Sequence, residues 1–183
     1  MKTVSSTQSP SGKLSDRIAT YQETTPEIRK EIVEMCHVAQ SGHPGGSLSA
    51  VEYLLWLYGE ELQVSSDTLK DHGRDRLVYS KGHACPVLYA VLSYYGLLDA
   101  DLNKEFRRFG GLPGHSSPKV PGVEFPSGSL GQGLSYANGL TMAANLDGRD
   151  YDVYAVLGDG EIQEGNVWEA AMTAGEKDLD TIA

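Results

Sequence analysis

Three short segments place a histidine directly after a glycine: Ser41-Gly-His43-Pro-Gly, Lys81-Gly-His83-Ala and Pro113-Gly-His115-Ser. Glycine leaves the backbone free to turn the following imidazole inward, where it can donate to an oxyanion or relay a proton near neutral pH. One such pair is equally well read as a turn histidine bonded to a carbonyl. Three of the five histidines repeat it, which adds weight to a site while leaving the turn reading open. A second group is Gly128-Ser-Leu-Gly131-Gln-Gly133, ahead of a helical pattern. Backbone N–H groups at such a helix start can cradle a phosphate or diphosphate; the plainer alternative is a tight turn into close helix packing. The third is Gly158-Asp159-Gly160, directly after a β-rich run. A carboxylate there can ligate Mg²⁺, which would in turn neutralise a diphosphate, although aspartate is also common in turns for its own hydrogen bonding.

These glycines do not follow the nucleotide-binding patterns. Gly-x-x-Gly-x-Gly at 128–133 reverses the order of the dinucleotide fingerprint, and Gln163 stands where a third glycine would follow Gly158 and Gly160. Nor does the chain contain the Gly-Lys-Ser/Thr of a nucleotide P-loop.

The elements that must carry these loops alternate between helix and strand. Ile28, Ile32, Met35 and Ala39 recur at helical spacing after Thr25-Pro26, which predicts a helix over 25–40 capped by Thr25. Leu48, Val51, Leu55 and Tyr58 predict a second helix over 47–62, and 63–75 is polar loop. A strand over 76–80, a buried helix over 84–95 stopped by Gly96 and a small helix over 101–109 follow. Beyond the glycine-rich loop 110–128, helix 131–146, strand 151–157, a helix ending at Ala174 and an opening strand over 180–183 complete the pattern. Strands separated by helices predict an α/β fold, a parallel sheet with helices on both faces. Ligands in such sheets sit at the carboxyl ends of strands, where Lys81-Gly-His83 and Gly158-Asp-Gly160 both fall. The three imidazoles are therefore expected to converge on one crevice.

Composition narrows the function classes. The 183 residues suggest one domain at ~100–200 residues each. Residues 1–20 read as a flexible tail, and 21–183 as the folded domain. Lys and Arg number 15 against 25 Asp and Glu, a net charge of -10, which argues against nucleic acid or an anionic membrane as partner. No apolar run approaches the ~18 residues of a membrane span, and no signal-like segment opens the chain, so the cytoplasm is the expected compartment. Cys36 and Cys85 lie in apolar helical patterns without Cys-x-x-Cys spacing and read as buried thiols. Glycine, at 21 residues, is the informative excess, and its cluster between Gly110 and Gly139 marks the first place to look for a ligand.

Taken together, SGHPGGSLS at 41–49, SKGHACPVLYA at 80–90, LPGH at 112–115, PGVEFPSGSLGQGLS at 121–135 and LGDGEIQEGNVWEA at 157–170 resemble the transketolase family, in the family's order. The resemblance implies the diphosphate-binding domain of a thiamine diphosphate enzyme that transfers a two-carbon ketol unit from a ketose phosphate to an aldehyde. It implies that His83 and the backbone of Gly128, Ser129 and Leu130 hold the diphosphate, that Gly160 donates to it, and that Asp159 ligates Mg²⁺ or Ca²⁺. His43 and His115, with His83, would line the substrate channel and handle the sugar's hydroxyl and carbonyl protons. Glu164 matches a family carboxylate buried near the subunit interface, where it connects two cofactor sites.

The same resemblance sets expectations for what the chain needs. The family's second metal ligands lie beyond the next strand, and the sequence stops inside that strand. The pyrimidine-binding domain, with its activating Glu, is not in the sequence. A C-terminal subunit or further sequence is therefore the expected partner, in a homo- or hetero-oligomer, and the chain alone is expected to be inactive. The competing expectation is a non-catalytic remnant that keeps the fold as an interaction module.

Overall fold

The computed structural model describes residues 14–182, so the segment 1–13 of the predicted tail lies outside the described residues. Two compact units emerge where chain length suggests one core: the residues up to Leu69 with His83–Gly114, and Lys70–Gly82 with His115–Ala183.

The first unit is helical. Helix α1 runs Leu14–Ala39 and buries Ile28, Ile32, Met35 and Cys36 along one stripe. It starts well before Thr25, so residues 14–20, expected in the tail, are helical, and Pro26 lies inside the helix. An interior proline removes its own N–H from the ladder and crowds the carbonyl four residues back, and side-chain contacts hold the added turns despite it. Tyr21 Oη donates to Glu60 Oε1 at 2.6 Å, Arg17 pairs with Glu60, and Thr24 bonds Tyr94 Oη at 3.2 Å. The predicted helix 47–62 is instead α2, Pro44–Leu48, then α3, Val51–Trp56, closed by a π-helical turn Leu57–Glu61. Pro44 suits the first helical position and moves the start forward.

Helix α4, Cys85–Tyr94, buries every residue except Ser93. Helix α5, Leu102–Glu105, is a single turn capped by Asp101, whose carboxylate accepts from Lys104 N at 3.2 Å. It stops short of the predicted Phe109 because Phe106 is extended and Arg107 adopts φ 55°, its N–H donating to Leu112 O at 2.8 Å.

The second unit is an α/β layer. Strands β1, Arg76–Tyr79, β2, Val153–Val156, and β3, Thr181–Ile182, form a parallel sheet in the order β1-β2-β3. Arg76 lies opposite Val153, and Val153 opposite Thr181. Helix α6, Gly133–Asp147, packs on all three strands, and helix α7, Gly165–Glu176, packs on α6. Their core joins Val78, Phe125, Leu134, Ala137, Val153, Ala155, Val167 and Ala170. The parallel α/β class is the one that alternating strands and helices predict. No described helix is long and apolar enough to cross a membrane.

Candidate functional site

In the first unit, Gly42 lies in the turn after α1 with φ +143°, and His43 follows it as the residue that caps α2. A Cβ on Gly42 would come within 2.6 Å of Cys36 Sγ and 3.3 Å of the Phe106 ring, so only glycine lets the turn lie against α1. His43 is exposed, and its ring meets that of His83 edge-on, centroids 5.6 Å apart at 76°. His83 is half-buried in the 3-10 turn Gly82–Ala84 at the start of α4, and Gly46 of α2 lies against it, its Cβ position 3.5 Å from Nε2. The structure thus brings two of the three predicted imidazoles together. Arg107 braces the same region, donating to Ser41 Oγ at 3.1 Å and to Gly114 O at 3.2 Å.

In the second unit the carboxyl end of β2 carries Gly158-Asp159-Gly160, and the loop ahead of α6 carries His115 and Gly128–Leu130. His115 is exposed and lies against Gly128, whose Cβ position is 3.4 Å from His115 Cδ2. The flanking loops are tied by Ser127 N donating to Ser116 O at 3.1 Å and by a bond between the Ser116 and Ser127 hydroxyls. Helix α6 begins at Gly133, two residues later than predicted, leaving Gly128, Ser129 and Leu130 in the loop ahead of it. Their N–H groups find no acceptor among the described residues, nor does that of Gly160. Asp159 is exposed with no hydrogen bond or ion pair among the described residues, and no group of three or more His, Cys, Asp or Glu there is placed to hold a metal ion. Glu164 is exposed just ahead of α7.

One buried acid links these loops. Glu161, 2% exposed, accepts from Gly131 N at 2.8 Å, from Gly158 N at 2.9 Å and from the Ser80 hydroxyl. Ser80 Oγ accepts in turn from Gly133 N at 3.2 Å. A loop with unpaired backbone N–H groups of this kind is one an anion can bind.

The family model described as "Transketolase, thiamine diphosphate binding domain" matches residues 20–183. The chain belongs to the transketolase family. Among its relatives, an apulose-4-phosphate transketolase subunit of Phocaeicola vulgatus is 39% identical over 167 residues, covering 91% of this chain and 59% of the relative. The 6-deoxy-6-sulfo-D-fructose transketolase subunit of a Clostridium species is 39% identical over 169 residues, 91% of this chain and 62% of its own. Human transketolase is 36% identical over 168 residues, 91% of this chain but 27% of its own. Among solved structures, transketolase from Leishmania mexicana superposes with a TM-score of 0.74 at 34% identity, covering 85% of this chain and 25% of that one. Campylobacter jejuni transketolase does so with 0.74 at 36%, over 86% and 26%. The chain therefore spans about three fifths of these transketolase subunits and about a quarter of these transketolases.

Seen as a transketolase domain, the chain has two residues that sequence patterns pass over. Glu161 stands inside the LGDGEIQEG motif, but periodicity gives no sign that its side chain turns inward while Glu164 stays exposed. Arg107 falls in a segment that reads as the end of a helix. Its left-handed backbone, which no propensity marks for arginine, is what carries its guanidinium between Ser41 and Gly114.

Proposed function

We propose that the chain is the diphosphate-binding part of a transketolase-like enzyme that moves a two-carbon ketol unit from a ketose phosphate to an aldehyde. The observation that carries it is the set of unpaired N–H groups at Gly128, Ser129, Leu130 and Gly160 beside an uncommitted Asp159, in a chain of this family. These donors fit a diphosphate, and Asp159 fits one corner of a Mg²⁺ or Ca²⁺ whose other ligands are oxygens of the diphosphate and of groups outside the described residues. Bound thiamine diphosphate supplies the thiazolium carbon that cleaves a ketose beside its carbonyl.

The chain's own residues do the rest. Gly128–Leu130 and Gly160 donate to the diphosphate, and His83 donates to the same group. His43 and His115 hold the sugar's hydroxyl and carbonyl oxygens and move their protons, and Glu164 reaches toward a partner subunit. Two relatives named as transketolase subunits support a reading in which a second chain, or further sequence, supplies the pyrimidine-binding half.

Calorimetric titration of thiamine diphosphate with Mg²⁺ tests the proposal, on the chain alone and on the chain joined to a pyrimidine-binding half. Mg²⁺-dependent binding by the joined protein is the expected result. Absence of binding in both would overturn it and favour the interaction-module alternative.

A further inference from the structure

Glu161 is a buried carboxylate of the second unit, and no described Lys, Arg or His forms an ion pair with it. Its two oxygens are met by neutral donors: Oε1 accepts from Gly131 N and the Ser80 hydroxyl, and Oε2 from Gly158 N. The three donors come from three separate pieces of chain: the end of β1, the glycine loop before α6 and the end of β2. Gly131 has little freedom to leave. It sits at φ +81°, and the space a Cβ would take is filled by the Asn166 amide and Glu164 Cβ. Ser80 extends the arrangement by accepting from Gly133 N, the first residue of α6. Every N–H that Glu161 and Ser80 take lies next to, or within three residues of, a group left unpaired among the described residues: Gly128–Leu130 on one side, Asp159 and Gly160 on the other.

We propose that Glu161 is a positioning residue that sets the spacing between the Gly128–Leu130 loop and the Asp159-Gly160 turn, so that the anion site is assembled before its ligand arrives. The inference rests on the thiamine diphosphate reading above. A carboxylate suits the task because both oxygens accept and neither donates. Glutamine would set an N–H₂ against a backbone N–H or the Ser80 hydroxyl and break one strut, while alanine would leave buried N–H groups unpaired. A preorganised site loses less on binding than a loop that must be ordered by its ligand.

The test compares Glu161→Gln and Ser80→Ala with the wild type, all joined to a pyrimidine-binding half, by titrating thiamine diphosphate at fixed Mg²⁺. Melting temperature and kcat at saturating cofactor are measured in parallel. Glu161→Gln is expected to weaken cofactor binding about tenfold or more and Ser80→Ala about three- to tenfold, affinity falling further than kcat. The double variant should lose less than the product of the two, since both act on one set of bonds. A purely structural acid would lower the melting temperature and leave the folded fraction's affinity unchanged, and that result overturns the proposal, as does tighter binding by Glu161→Gln. Should Glu161→Gln fail to fold, Ser80→Ala decides alone. Failure of the wild type to bind overturns the functional reading itself, whereas wild-type binding with unaffected variants overturns only the role of Glu161.

Discussion

Asp159 and His115 are both exposed, yet they should fail differently when changed. Asp159→Ala removes a side chain with no partner among the described residues, so stability should hold within about 0.5 kcal/mol. Mg²⁺-dependent cofactor binding should weaken by about two orders of magnitude on titration. His115→Ala should lower kcat about a hundredfold while cofactor affinity moves less than about threefold, because its assigned partner is the sugar. Equal losses in both quantities would place His115 on the diphosphate instead. Cys85 makes a separate prediction. Burial pushes its thiol from 9.0 up to about 12. The unfolded thiol then ionises before the folded one, so the stabilisation is complete below pH 9.0 and is lost as the pH climbs toward about 12. Urea midpoints of the wild type should fall across that window more steeply than those of Cys85→Ala. Asp159 stood out as a candidate from its flanking glycines. The burial of Glu161 was not legible, because which acid of several nearby turns inward depends on which way a 3-10 turn faces.

At the scale of elements, close approach decides more than propensity does. Gly82 lies against the loop that leads into Gly128, and a Cβ on it would collide with the Ser127 hydroxyl and lie 2.7 Å from Ser127 Cβ. Gly82→Ala should therefore cost about 2 kcal/mol in denaturant unfolding. Adding Ser127→Gly should recover part of that loss, since it removes the atoms struck. No recovery would mean that the strain lies elsewhere in the turn. Helix positions followed their apolar stripes, as Ile28, Ile32 and Met35 show, but helix ends did not. Pro26 reads as a start and sits mid-helix because Tyr21, Arg17 and Thr24 find partners on other elements. The helix predicted over 47–62 divides into α2, α3 and a π turn, within which Gly59 lets the Tyr21 and Tyr95 hydroxyls pack against its Cα.

For the whole molecule, the decisive comparison is with the length of its relatives. The chain covers 59% and 62% of two transketolase subunits and 27% of human transketolase, and on the function proposed above, ketol transfer by residues 1–183 alone is not expected. Assayed alone with thiamine diphosphate, Mg²⁺ and a ketose phosphate, it should show no ketol transfer above background. Joining it to such a half, in one chain or as a second subunit, should produce activity. Turnover by the isolated chain as a monomer in solution would refute the assignment of the missing metal ligands and the activating Glu to other sequence.

The sequence by itself determined the family, the parallel α/β class and the loops at which to look, because glycine, histidine and aspartate at strand ends and helix starts are local requirements of backbone and chemistry. Five ordered motifs carried that information without any three-dimensional contact. Tertiary structure alone decided which groups are committed and which are left over. Glu161 turns inward to hold Gly131 and Gly158, Arg107 takes a left-handed backbone to span Ser41 and Gly114, and the N–H groups of Gly128–Leu130 stay unpaired. Two of these partners, Gly131 for Glu161 and Ser41 for Arg107, lie 30 and 66 residues away in the chain, and a hydrogen bond reaches about 3 Å whatever the separation in sequence. Local spacing therefore cannot encode them, and only the packed fold brings those partners within reach.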